Sequence, residues 1–102
     1  MAYYIRTTVA LKMGKYQGYS DLMTAFAPYM AQNGWKLVFG LGPVVGDITE
    51  ITHLWEVEKF EDIAKGMEAC AGDPKAHELL ADLPDLVHKE TIVVMAKTPY
   101  SP

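Results

Sequence analysis

A chain of 102 residues, half of them hydrophobic and 22% charged, has the size of one domain with one core. Nine Lys and Arg stand against thirteen Asp and Glu, a net charge of -4, and the cations form no stripe, which excludes nucleic acid as an expected partner. The lone Cys70 excludes an internal disulfide or a CxxC pair, and no apolar run approaches the roughly 20 residues of a membrane span, so a cytoplasmic protein with no membrane partner is expected.

From Tyr3 to Lys12 the residues alternate, with Tyr3, Ile5, Thr7, Val9 and Leu11 opposed to Tyr4, Arg6, Thr8, Ala10 and Lys12, the pattern of a half-buried strand. Gly14 and Gly18 break it, and Ser20 then stands as the expected N-cap of a helix whose stripe is Leu22, Met23, Phe26, Tyr29 and Met30. Pro28 is the weak point of that helix, and Asn33-Gly34 its left-handed stop. Trp35 to Leu41 reads as a second strand, the Gly42 to Asp47 stretch as a turn, and Ile48 to Val57 as a third strand, with Thr49, Ile51, His53, Trp55 and Val57 on one face. Phe60, Ile63, Ala64, Met67 and Cys70 form the stripe of a second helix ended by Gly72. Asp73-Pro74 opens a short helix that Pro84 is expected to close, and Leu86 to Ala96 reads as the last strand.

The order is β-α-β-β-α-β, so the predicted fold class is α+β, ferredoxin-like, a four-stranded antiparallel sheet with helices on one face, in a single domain over residues 1–102. Right-handed crossovers place both helices on the same side of the sheet and leave the other face bare. The apolar parity of Ile51, Trp55 and Val57, together with the unbroken apolar run Ile92 to Ala96, argues that this bare face is covered, and a homodimer is the expected cover.

His53-Leu54-Trp55 on the third strand, the Phe60-led helix, Asp73-Pro74 and the closing apolar strand resemble the NIPSNAP group of the dimeric α/β-barrel superfamily. The likeness spans Ile48 to about Met95 in residues and Tyr3 to Leu41 in topology. Lys59 departs from it, standing where a Ser or similar cap often precedes the helix. The resemblance implies a homodimer with a small cavity between sheet and helices. Its superfamily includes cofactor-free monooxygenases, isomerases, polyketide cyclases and haem binders.

Among single residues, His53 beside Trp55 is the candidate catalytic group, as a general base or an orienter of a ligand carbonyl. The alternative is a structural histidine bonded to a neighbour. Tyr4, Arg6 and Thr8 are candidate ligand-binding residues, expected on the same surface as the third strand's side chains to clamp an anionic or carbonyl-bearing ligand. Against this, Arg6 is open to pairing with Glu50 or Glu90. Tyr29 and Trp35, with Tyr16 and Tyr19, suit a pocket mouth or a dimer seam equally. His53, His77 and His88 form no HExxH or close pair, so no metal is expected, and no cofactor is called for. The methionines and Cys70 fall at packing positions. The functional expectation is therefore a protein that binds a small apolar or carbonyl-bearing molecule, whether or not it is an enzyme. A solidly packed interaction module and a haem binder are the alternatives.

Overall fold

The computed structural model describes residues 1–102: β1 (Tyr3–Leu11), α1 (Tyr16–Gln32), β2 (Lys36–Leu41), β3 (Glu50–Val57), α2 (Glu61–Gly72), α3 (Pro74–Leu79), α4 (Leu83–Leu86) and β4 (Val87–Met95). The strands form one antiparallel sheet in the order β2-β3-β1-β4, the ferredoxin-like α+β arrangement that the element order predicts. β1 is central because both β3 and β4 pair along nearly its whole length, Tyr3 opposite Val57 and Tyr4 opposite Met95 at one end. No helix is long and apolar enough to cross a membrane.

Strand alternation decides which side chains meet the helices. Ile5, Thr7, Val9 and Leu11 of β1 and Ile51, His53, Trp55 and Val57 of β3 are all buried, and they share one core with Tyr19, Leu22, Phe26, Tyr29 and Met30 of α1. This corrects the reading of the third strand: its apolar parity faces the helices and leaves the bare face to Glu50, Thr52, Leu54 and Glu56. The apolar content of that bare face comes from elsewhere, from Leu54 of β3, from Val93 and Met95 of the edge strand β4 and from Phe39 of β2, which is 57% exposed.

Two element boundaries differ from expectation for identifiable reasons. α1 starts at Tyr16, not after Ser20, so Gly18 lies inside the helix. A Cβ at Gly18 would stand 3.0 Å from Leu86 Cδ2, so the missing side chain serves the close approach of α1 to α4 and is not a break. Pro84 does not close α3 but stands at the start of the one-turn α4, where its missing N–H removes no helical hydrogen bond. α3 begins as predicted: the Asp73 side chain accepts from the backbone N–H of Lys75 at 2.9 Å. At α2 the absent Ser cap is replaced from inside the helix, where the Asp62 carboxylate accepts from the Lys59 N–H at 3.2 Å.

Candidate functional site

A cavity of about 370 Å³ lies between the sheet and the helices, within the usual size range of small-molecule sites. Thr7, His53 and Trp55 form its floor, with Glu90 and Ile92 of β4 to one side; α1 and α2 supply the roof, and Trp35 closes one end. It opens to solvent where the exposed Met67, Ala71, Glu90 and Ile92 line it, Met67 and Ile92 being 47% and 42% exposed. A second hollow of about 270 Å³ opens between α1 and the β2 edge, and Tyr19, Met23 and His53 line both.

His53 is held in place from several sides. On β3 it stands directly opposite Thr7 of β1, whose hydroxyl lies 3.4 Å from Nδ1. Its ring is tilted against those of Tyr19 and Trp55, with centroids 5.9 and 6.2 Å away. Only 5% of the residue is exposed, and this burial holds the imidazole pKa below its ordinary value, so the ring is neutral at pH 7 and keeps one nitrogen as an acceptor.

The neighbour of His53 on the other side depends on an irregularity in β2. Between Leu37 and Phe39 the pairing with β3 slips by one residue, so that Phe39 pairs with Leu54 on the bare face and Gly40 pairs with His53. Without that bulge the phenyl ring would stand beside the imidazole. A Cβ at Gly40 would lie 3.5 Å from His53 Cδ2, and its absence keeps the smaller hollow open next to the ring.

With the cavity in place, comparison with known proteins gives the chain its kinship. The NIPSNAP family profile matches residues 3–102. The chain belongs to the NIPSNAP family. None of the curated proteins matches this NIPSNAP protein in sequence. A solved NIPSNAP family protein from Agrobacterium tumefaciens matches it with a TM-score of 0.86 at 18% identity, over 100% of this chain and 98% of the other. A NIPSNAP family protein of unknown function from the same organism gives 0.86 at 24% identity, over 99% and 92%. A proposed antibiotic biosynthesis monooxygenase from Nitrosomonas europaea gives 0.77 at 12% identity, over 99% and 94%. At such identities these likenesses speak for the fold alone.

The candidate residues of the NIPSNAP chain divide between two places. His53, Trp55 and Trp35 line the larger cavity together. Tyr4, Arg6 and Thr8 lie on the opposite face of the sheet, because Thr7 between them points to the helices; the expectation that they share a surface with His53 is corrected on this ground. There the Tyr4 hydroxyl donates to Glu56 Oε2 at 2.8 Å, and Arg6 stands between Leu54 and Val93. Glu50 is opposite Ala10, and Glu90 is opposite Val9 on the other side of the sheet, so neither is in register with Arg6. Tyr29 lines neither cavity, since its hydroxyl is turned to Asp73 Oδ2, 2.5 Å away.

Three residues of the cavity carry further chemistry: Thr7 and Glu90, which the sequence did not place at a ligand site, and Tyr19, which it gave to a pocket mouth or a dimer seam alike. Thr7 breaks an apolar row between Ile5 and Val9, a signal readable in the alternation itself. Tyr19 lines both hollows, and its phenol pKa is raised, first by burial and then by the charge of Glu90. Glu90 has the parity of Ile92 and Val94, which puts its carboxylate over the cavity. Loss of surrounding water raises its pKa although the residue remains open to solvent at the mouth. Cys70 also lines the cavity, where burial pushes its thiol pKa up and Met30 Sδ lies 3.8 Å from Sγ, the surroundings of a packing residue. No group of three or more His, Cys, Asp or Glu side chains gathers to hold a metal ion.

Proposed function

We propose that this NIPSNAP protein binds a small, largely apolar, carbonyl-bearing molecule in the cavity between sheet and helices, and that His53 orients that carbonyl or takes a proton from the carbon beside it. The observation that carries the proposal is the site of His53: a neutral imidazole buried in the floor of an apolar, ligand-sized space, with Thr7 against one nitrogen. A solidly packed interaction module would lack that space. Reaction types that use no cofactor, such as isomerisation or cyclisation by proton transfer, suit a neutral imidazole in dry surroundings. The structural likeness to the Nitrosomonas europaea protein is compatible with monooxygenase chemistry on the same fold.

The proposal includes a homodimer in which the bare sheet face, with Leu54, Val93, Met95 and Phe39, is covered by its twin. It also includes a cytoplasmic setting, supported by the unpaired Cys70.

Native mass spectrometry of freshly purified protein tests the binding reading. The expected result is a retained small molecule that His53→Ala holds more weakly, with a dissociation constant raised by roughly tenfold, the factor that about 1.4 kcal/mol of lost hydrogen bonding gives. A variant that melts far earlier yet keeps its ligand would return His53 to a packing role.

A further inference from the structure

We infer that the cavity discriminates by charge, Glu90 at its mouth turning anions away, so that its ligand is an uncharged or cationic amphipathic molecule of about two fused rings. This rests on the cavity being the ligand site, as proposed above, and adds the chemical class of what enters.

Three observations carry the inference. Twelve of the fifteen lining residues are hydrophobic, Glu90 is the only carboxylate, and no Lys or Arg lines the space. The one arginine of the chain, Arg6, lies on the other face of the sheet, so nothing in the cavity neutralises a carboxylate or phosphate on the ligand. An anion entering past Met67 and Ile92 meets the Glu90 charge in surroundings that already disfavour it, as the raised pKa of that carboxyl reports.

The polar groups that remain are suited to a neutral partner. The Tyr19 phenol lines the space, and burial and the neighbouring Glu90 charge raise its pKa, so it stands there as a hydroxyl able to donate to a ligand. His53 supplies a neutral nitrogen, and the Glu90 carboxylate accepts from a hydroxyl or an ammonium. The size follows from volume: an apolar cavity of about 150 Å³ accommodates benzene. One of about 370 Å³ is roughly two and a half times larger, the room of a two-ring system with a short polar arm.

Three naphthalene probes test it on the full chain at pH 7.5: 2-naphthol (neutral), 2-naphthoate (anionic) and 2-(aminomethyl)naphthalene (cationic). Both tryptophans, Trp35 and Trp55, line the cavity, so quenching of their fluorescence reports occupancy. The expected result is saturable binding of the neutral and cationic probes, with naphthoate weaker than naphthol by roughly tenfold or more. Glu90→Gln, with Glu90→Ala as the second variant, brings naphthoate to within roughly threefold of naphthol. Equal affinity of the wild-type protein for naphthol and naphthoate overturns the charge selection and leaves the binding site standing. Discrimination that survives in both variants overturns the role of Glu90. Failure of all three probes to bind overturns the cavity as a ligand site, and this inference with it.

Discussion

Trp35 shows how one residue fixes the position of a whole helix. Its indole N–H donates to the carbonyl oxygen of Asp62 at 2.8 Å, its ring meets Trp55 edge-on at 5.8 Å, and it lies so close to α2 that a Cβ at Gly66 would fall on the indole. Gly66→Ala therefore gives a sign test. Helix propensity alone favours Ala over Gly by about 1 kcal/mol, whereas overpacking costs about 1–3 kcal/mol. The collision is with a rigid ring that already has its hydrogen bond, so steric cost is expected to prevail and Gly66→Ala to melt below wild type; thermal unfolding followed by circular dichroism checks it. None of this is visible in the sequence, where Gly66 occupies an ordinary position within a helical run. The candidate His53 was legible there because a lone imidazole interrupts an apolar row beside Trp55. Glu90 was not, because the sequence alone offers Arg6 as a partner for it and only pairing in register shows the two to lie on opposite faces.

Between elements, the bond from Tyr29 on α1 to Asp73 at the start of α3 ties two helices through a pair of titrating groups. Asp73 is held below its ordinary pKa, first by the Tyr29 hydroxyl and then by the Lys75 N–H, while Tyr29 is pushed up to about 12, chiefly by Asp73. The two signs are opposite. The contribution of Asp73 is complete above its unfolded pKa near 3.8 and is lost as pH falls through the depressed folded value. That of Tyr29 is complete below 10 and is lost as pH rises through about 12. Melting temperature is therefore expected to decline more steeply below pH 4 in the wild type than in Tyr29→Phe, which lacks the hydroxyl, and a series of melts from pH 6 to pH 3 measures this. Parallel slopes would show that Asp73 draws nothing from Tyr29.

Element identity was legible because periodicity and turn residues are local: the four strands and α1 to α3 were placed, and Asp73-Pro74 capped α3 as read, whereas the one-turn α4 was missed because Pro84 reads equally as a stop and as a start. Boundaries and faces were less so. Gly18 reads as a breaker in one dimension and as a helix contact in three, since only the fold brings Leu86 against it. The bulge at Val38 has no sequence mark, yet it sets Gly40 beside His53 and turns Phe39 to the bare face.

For the molecule as a whole, the proposed homodimer rests on the uncovered sheet face. Leu54 and Val93 flank Arg6 across the strands there, so a second cation at either place meets like charge as well as a lost apolar contact. Sedimentation of the wild type at micromolar concentration is expected to give twice the chain mass of 11.3 kDa. Leu54→Lys is expected to weaken the dimer by roughly tenfold or more, a cost of about 1.4 kcal/mol that burial of one charge readily exceeds. A wild-type chain that sediments as single protomers would remove the homodimer from the proposal.

By itself the sequence determined the fold class, the succession of strands and helices and the family resemblance, because these follow from alternation, helical spacing and turn residues over stretches of about ten positions. Only the tertiary structure decided which residues share the cavity. Side-chain direction in a sheet reverses with every residue and every slip of register, so the separation of Arg6 from His53 and the union of His53 with Glu90 depend on strand pairing between residues far apart in the chain.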